Sequence, residues 1–180
     1  MSALPDDELA RRAARLEWLL LDVDGVLTDG RLLYDGEGER LKQFHVRDGL
    51  AIELARRAGL KVGFLSGRTS PALARRARDL AVDALITDRA DKGRAFADFL
   101  AAQGTTADRV AYAGDELLDL PVVRRCALSF APADAVAEVL ARVDRVLAAR
   151  GGDGAVRELV EVLLRARGAW DAAVAPFLGG

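Results

Sequence analysis

Three acidic side chains lie at the ends of apolar runs in this sequence. Asp22 and Asp24 end the run 18–23, and Asp115 follows the run 110–113. If these runs are parallel strands of one sheet, the three carboxylates meet at the carboxyl edge of that sheet. Gathering like charges costs free energy, so such a site normally holds a cation. Carboxylate oxygens are ligands that suit a hard ion such as Mg²⁺.

Ser66 and Lys92 belong to the same predicted edge. Ser66 ends an apolar run, and Lys92 opens a predicted helix just beyond another. Taken singly, an Asp that follows a strand is usually a helix N-cap or turn former, and a lone Lys is usually solvated. Taken together, they favour phosphoryl transfer, because Mg²⁺ and a Lys offset the repulsion between an attacking carboxylate and an anionic phosphate.

Strand and helix patterns alternate along the chain and must position these residues. The predicted strands are 18–23, 61–66, 84–87, 109–113, 127–130 and 143–147, and the predicted helices are 5–15, 49–58, 71–80, 92–103, 116–124, 134–141 and 155–167. Single helices between strands imply right-handed crossovers and a doubly wound, mostly parallel α/β sheet with helices on both faces. Two β-prone runs around a Gly-rich turn predict a hairpin insertion at about 26–46. The tail 168–180 is predicted to be irregular.

Length and composition predict one globular domain over residues 1–180. The 26 Lys and Arg nearly balance the 28 Asp and Glu, so no basic field exists to bind nucleic acid. One Cys and one His cannot build a Cys/His zinc site. No segment resembles a secretion signal or a membrane span, so we expect a cytoplasmic protein with no membrane partner.

Several strings in the sequence resemble the motifs of haloacid dehalogenase-like (HAD) phosphatases, in the order of that family. They are DVDGVLTDG at 22–30, SGR at 66–68, Lys92, and GDELLD at 114–119. Three further strings are similar to the 3-deoxy-D-manno-octulosonate 8-phosphate phosphatases, namely KQFHVRDG at 42–49, LSGR at 65–68 and GGDGAVRE at 151–158. The resemblance covers about 17–167 and implies a HAD-like (Rossmannoid) fold with a hairpin in place of a cap domain.

The resemblance implies a role for each matching residue. Asp22 would be the nucleophile and a Mg²⁺ ligand, Asp24 the general acid/base that also gives its backbone carbonyl to the metal, and Asp115 the remaining metal ligand. The implied substrate-binding residues are Ser66, Gly67, Arg68, Lys92 and Arg47. Ser66 and Lys92 would hold the phosphoryl oxygens. Arg47 and Arg68 are candidates for a sugar carboxylate, although either could form an ordinary surface ion pair.

Two positions depart from the family pattern. Glu116 stands where members of this family often carry a second Asp, which leaves Glu116 and Asp119 as candidates for an outer layer around the metal. Asp153 stands in the glycine loop where relatives carry a basic residue, which weakens any prediction of an anion contact there.

The implied activity is that of a phosphoric monoester hydrolase. It would hydrolyse 3-deoxy-D-manno-octulosonate 8-phosphate with Mg²⁺ through an aspartyl-phosphate, in lipopolysaccharide biosynthesis. The alternatives are a nonulosonate (sialic-acid type) 9-phosphate phosphatase, a signalling receiver domain, and a non-catalytic scaffold. The resemblance also implies a homotetramer formed through the hairpins, with a neighbour's C-terminal tail near the active site. Trp170 and Phe177 fit such a tail, and a frayed end is the competing interpretation.

Overall fold

A computed structural model describes residues 4–36 and 38–179. In this part of the chain, six parallel strands form a sheet in the order β5-β4-β1-β6-β7-β8. Its strands are β1 (Trp18–Leu21), β4 (Lys61–Leu65), β5 (Ala84–Ile86), β6 (Val110–Ala113), β7 (Leu128–Ala131) and β8 (Arg145–Val146). Strand order diverges on either side of β1, as in a doubly wound sheet. The predicted α/β architecture is therefore confirmed.

Helices cover both faces of this sheet. They are α1 (Asp6–Ala13), α2 (Val46–Arg57), α3 (Pro71–Asp79), α4 (Lys92–Gln103), α5 (Leu120–Val123), α6 (Ala137–Leu140), α7 (Ala155–Ala166) and α8 (Trp170–Val174). Strand β1 divides its side chains between two apolar cores, because successive residues point to opposite faces. Leu19 and Leu21 pack with α1, α2, α3 and α7, whereas Trp18 and Leu20 pack with α4, α5 and α6. No helix of the described chain is long and apolar enough to cross a membrane.

Three predicted helices differ clearly from the observed ones, and the simplest case is the predicted helix 134–141, which is shortened to α6 at Ala137–Leu140. Helix α2 begins at Val46, earlier than expected, because His45 Nδ1 accepts the N–H of Arg47 at 3.2 Å and caps the helix. The predicted helix 116–124 consists instead of a short 3₁₀ helix, Leu117–Asp119, followed by α5. The side chains of Glu116 and Asp119 form a capping box around that 3₁₀ turn.

The prediction of an irregular tail is wrong. Helix α8 and a 3₁₀ turn, Ala175–Phe177, follow α7. The Trp170 ring lies 5.1 Å from the guanidinium carbons of both Arg157 and Arg165. The Phe177 ring lies 6.0 Å from that of Arg57. These cation–π contacts offset the entropy lost when the tail is ordered, and single-sequence periodicity does not reveal them.

The hairpin consists of β2 (Leu33–Asp35) and β3 (Gly38–Leu41), which pair in antiparallel fashion. It lies within the predicted range 26–46 and forms a separate two-stranded sheet. Its apolar side chains are largely exposed: Leu33 is 56% accessible, Tyr34 60% and Leu41 64%. The hairpin therefore contributes little to the apolar core of its own chain.

Candidate active site

Two adjacent strands, β1 and β6, bring three acidic residues together. Asp22 directly follows β1, and its N–H donates to the carbonyl of Ala113, the last residue of β6, at 2.9 Å. Asp115 lies two residues beyond that strand end. Carboxylate oxygens of Asp22, Asp115 and Asp119 all lie within 4.8 Å of one another. We call these three side chains the carboxylate cluster.

Lys92 supplies a buried positive charge to this cluster from the first turn of α4. Its ammonium lies 2.7 Å from Asp22 Oδ1 and 2.6 Å from Asp119 Oδ1. Burial opposes the charge on Lys92, but the carboxylates of Asp22 and Asp119 outweigh that effect and raise its pKa. Lys92 is therefore a permanent cation at physiological pH.

One Lys does not balance three neighbouring carboxylates. Burial, followed by the charge of Asp119, raises the pKa of Asp22 well above its usual range. The same two causes raise the pKa of Asp115 to about 6. Negative charge is thus disfavoured at both residues, and a further cation would relieve the repulsion.

The donor set of the cluster fits Mg²⁺. Asp115 Oδ1 is buried and accepts no hydrogen bond from the described residues, so it is available as a ligand. The backbone of Gly25 lies directly against the same carboxylate. A Cβ at position 25, where φ is +97°, would lie 2.0 Å from Asp115 Oδ2, so glycine is required. An oxygen-only site with a free, desolvated carboxylate oxygen matches the preference of a hard divalent cation.

Asp119 organises the cluster through four hydrogen bonds. Its Oδ1 accepts from Lys92 and, at 2.5 Å, from the hydroxyl of Tyr112. Its Oδ2 accepts the backbone N–H groups of Asp115 and Glu116, each at 3.0 Å. Asp119 therefore fixes both the Lys92 ammonium and the loop that carries Asp115. This arrangement is consistent with the outer position expected for Asp119.

Glu116 and Tyr112 lie next to the carboxylate cluster, and only Glu116 was singled out from the sequence. Glu116 Oε1 accepts the N–H of Leu117 at 2.6 Å, so the side chain faces its own turn. Tyr112 escaped the sequence analysis, although a lone hydroxyl in the apolar strand 110–113 is a signal for a buried hydrogen bond.

Ser66 lies at the end of β4, next to β1. The side chain is fully buried, and its Oγ accepts the N–H of Arg68 at 3.1 Å. The hydroxyl can still donate its proton to a phosphoryl oxygen. Gly67 continues this turn, and a Cβ there would meet only the carbonyl of Arg89, at 3.7 Å.

The two predicted carboxylate-binding arginines lie outside the cluster. Arg68 is 42% exposed at its side chain and donates to Tyr34 Oη at 2.6 Å and to Glu39 Oε2 at 3.1 Å, both on the hairpin. Arg47 is exposed in the first turn of α2, and in the described chain no contact joins its guanidinium to the cluster.

Asp24 and the hairpin residue Lys42 form an ion pair that the sequence analysis missed. The Asp24 carboxylate contacts the Lys42 ammonium, and in the described chain it is not a member of the carboxylate cluster. Lys42 also lies 3.2 Å from Glu39 Oε1. The Lys42 side chain is only 3% exposed. Lys42 belongs to the family-like string 42–49, but that resemblance did not predict its contact with Asp24.

The glycine loop at 151–154 supports the Asp22–Gly25 segment through backbone contacts. A Cβ at Gly151 would lie 1.9 Å from the carbonyl oxygen of Gly25, so only glycine permits this approach. The N–H of Gly152 donates to the carbonyl of Val26 at 3.0 Å. Asp153 is exposed beside His45, 3.8 Å from its Nε2. The loop thus buttresses the site.

Comparison with known proteins gives relatives that cover most of the chain, whereas no family model matches. The 3-deoxy-D-manno-octulosonate 8-phosphate phosphatase KdsC of Haemophilus influenzae is 44% identical over 160 residues, which are 89% of each chain. A HAD-superfamily hydrolase from Legionella pneumophila superposes with a TM-score of 0.90 at 34% identity, covering 97% of this chain and 96% of the other.

A third relative was solved with ligands. It is the 3-deoxy-D-manno-octulosonate 8-phosphate phosphatase of Moraxella catarrhalis, in complex with a magnesium ion, a phosphate ion and 3-deoxy-D-manno-octulosonate (KDO). It superposes with a TM-score of 0.91 at 33% identity and covers 95% of this chain and 98% of the other. These relatives confirm the predicted HAD-like fold. With a curated relative at 44% identity over most of both chains, this chain belongs to the 3-deoxy-D-manno-octulosonate 8-phosphate phosphatase family.

Proposed function

We propose that this chain is a Mg²⁺-dependent phosphatase that hydrolyses 3-deoxy-D-manno-octulosonate 8-phosphate to 3-deoxy-D-manno-octulosonate and phosphate, in lipopolysaccharide biosynthesis. The observation that carries this proposal is the buried Asp22 carboxylate, paired with Lys92 and adjacent to Asp115, whose free oxygen suits a metal. The names of the relatives supply the substrate.

The proposed chemistry has two steps at Asp22. A carboxylate oxygen of Asp22 attacks phosphorus, the bond from phosphorus to the sugar oxygen breaks, and Asp24 gives a proton to the departing alcohol. Water then attacks the phosphorus of the aspartyl-phosphate while Asp24 takes its proton. This second step releases phosphate and restores the Asp22 carboxylate.

Neighbouring residues stabilise the charge that develops on the transferred group. Lys92 and Ser66 would hold the phosphoryl oxygens. Two observations support these roles: Lys92 is buried beside Asp22, and Ser66 is buried at the end of β4, which neighbours β1. Asp22, Asp115 and the backbone carbonyl of Asp24 would hold Mg²⁺, which when bound neutralises negative charge on the phosphoryl group.

Arg68 and Arg47 are proposed to bind the sugar carboxylate. Arg68 follows the buried Ser66 by two residues and presents a partly exposed guanidinium. Its present partner Glu39 shows that this guanidinium accommodates a carboxylate. A substrate carboxylate would compete with Glu39 for the same donors.

The proposal is tested by phosphate release from phosphosugars with and without Mg²⁺. We expect turnover of 3-deoxy-D-manno-octulosonate 8-phosphate that disappears when the metal is chelated. A higher kcat/KM for a nonulosonate 9-phosphate would replace the substrate assignment with the alternative one. Absence of phosphate release from every phosphosugar in the presence of Mg²⁺ would contradict the enzymatic proposal itself.

We also propose a homotetramer formed through the hairpins, with a neighbour's tail near each active site, and a cytoplasmic location. The exposed apolar residues of the hairpin support the assembly, because such residues are costly to leave in water. Within one chain, Phe177 contacts Arg57 at the end of α2 that precedes β4. That end of α2 lies at the edge of the sheet away from the carboxylate cluster. A tail near an active site would therefore belong to a different subunit from that active site.

A further inference from the structure

The hairpin places a desolvated lysine beside the proposed acid/base. Lys42 directly follows Leu41, the last residue of β3. Leu41 is exposed, whereas the Lys42 side chain is only 3% accessible. Burying an ammonium group costs free energy unless it is paired. The partner that it contacts toward the active site is the carboxylate of Asp24.

Lys42 is itself held in place from the other side. Glu39 Oε1 lies 3.2 Å from the ammonium, and Glu39 Oε2 accepts from Arg68 at 3.1 Å. Burial raises the pKa of Glu39, but hydrogen bonds from Arg68 and Lys42 outweigh it and lower the pKa overall. Glu39 is therefore a carboxylate that anchors Lys42 to the hairpin.

This contact determines where the Asp24 carboxylate lies. Asp24 is separated by one residue from Asp22, yet its carboxylate lies against the hairpin lysine and outside the carboxylate cluster. The nucleophile and the acid/base need different positions, because one meets phosphorus and the other meets the leaving oxygen. A displacement of about 1 Å in such a group can cost on the order of 100-fold in rate.

We propose that Lys42 is a positioning residue that holds the carboxyl group of Asp24 on the leaving-group side of the site, apart from the metal-binding carboxylates. This inference rests on the proposed function, since it concerns the proton that Asp24 gives to the departing alcohol. It makes the hairpin a part of the catalytic apparatus within its own subunit.

The test compares two substrates that differ in their need for an acid. Alcohol departure from 3-deoxy-D-manno-octulosonate 8-phosphate requires a proton, whereas p-nitrophenolate leaves from p-nitrophenyl phosphate without one. The kcat/KM of each substrate reports only the steps up to that departure. For Lys42→Met we expect kcat/KM to fall roughly 10- to 100-fold with the sugar phosphate and less than about threefold with the aryl phosphate.

Two further variants control this experiment. Lys61→Met removes an exposed lysine at the start of β4, on the opposite edge of the sheet, and should change neither kcat/KM. Lys42→Arg retains a cation and should recover part of the loss seen with the sugar phosphate. If Lys42→Met does not fold, Lys42→Gln tests the same contact with a neutral polar side chain, and we expect a smaller loss that is again confined to the sugar phosphate.

The outcomes separate this inference from the proposed function. Equal losses with both substrates, or an unchanged kcat/KM for the sugar phosphate, would overturn the positioning role of Lys42. Failure of the wild-type protein to release phosphate from either substrate would instead overturn the proposed function.

Discussion

The surroundings of Asp22 disfavour its ionised form. Burial and Asp119 raise its pKa, while Lys92 acts in the other direction. The proposed nucleophile is therefore poorly solvated and lies beside Lys92, the cation that we propose also binds phosphate. Burial makes the ionised form costly in the absence of metal, and the same lack of solvation favours attack once the site is loaded.

The variant Asp22→Asn tests the nucleophile. An amide of the same shape cannot form the acyl phosphate, so we expect phosphate release to fall by at least about 1,000-fold. The measurement is inorganic phosphate released from the sugar phosphate in the presence of Mg²⁺. Asp98→Asn, an exposed change on α4, should leave the rate unchanged. Turnover at the wild-type rate in Asp22→Asn would remove Asp22 from the mechanism.

The pKa values of Asp22 and Asp115 predict how pH and Mg²⁺ affect stability. Both carboxyl groups bind protons more tightly in the folded, metal-free chain than in the unfolded chain. Their contribution to stability therefore decreases as pH rises from about 4 through the folded pKa of Asp115, which is about 6. Mg²⁺ must displace these protons, so it should raise Tm more at about pH 7.5 than at about pH 5.

Thermal unfolding with Mg²⁺ and with a chelator, at both pH values, measures this linkage. Asp115→Asn should lose most of the Mg²⁺-dependent rise in Tm at the higher pH. A rise that is equal at the two pH values in the wild type would show that these carboxylates do not bind the ion.

The positions of residues at strand ends could be predicted from the sequence, whereas the contacts made by the hairpin could not. Asp22, Asp115, Ser66 and Lys92 could be placed at one edge because strand order and side-chain alternation fix where strand ends lie. The Lys42–Asp24 pair depends on how the hairpin folds over the site, and no local periodicity encodes that.

Among the elements, α7 obtains its N-terminal cap from another helix. Its own N-cap residue, Gly154, has no side chain to accept a hydrogen bond. Asp48, in the first turn of α2, accepts the N–H of Arg157 at 2.8 Å. This contact joins the two helices that flank the site on one face of the sheet.

Asp48→Ala should therefore reduce the free energy of unfolding by about 1–2 kcal/mol, the usual cost of losing a helix cap. Urea denaturation followed by circular dichroism measures the change. Glu53→Ala, an exposed change on the same helix, should cost at most about 0.5 kcal/mol. Equal effects of the two variants would mean that the cap contributes no more than a surface ion pair.

The elements that sequence reasoning misplaced share one physical cause. Side chains rather than apolar periodicity set the start of α2 at Val46, through His45, and divide the segment after Asp115, through the Glu116–Asp119 capping box. The tail helix α8 depends on contacts of Trp170 with two arginines of α7. Long, periodic helices such as 92–103 and 155–167 needed no such contacts and were located closely.

At the scale of the whole molecule, the exposed hairpin predicts the assembly. Leu33→Glu and Leu41→Glu together place two charges in the proposed interface, and we expect the tetramer to dissociate. Light scattering coupled to size-exclusion chromatography measures the mass. Val146→Glu, an exposed change on the edge strand β8, serves as the matched control and should leave the mass unchanged. A wild-type protein with the mass of one chain would contradict the proposed assembly.

The contact between Gly25 and Gly151 has a consequence for the order in which the site is completed during synthesis. The loop that carries the proposed nucleophile leaves the ribosome well before its buttress, which lies 126 residues later (151 minus 25). The neighbouring strand β6 and Asp115, the proposed metal ligand, also emerge long after Asp22. We therefore expect nascent chains that stop before Gly151 to lack phosphatase activity, because the site around Asp22 is completed only after the glycine loop has been synthesised.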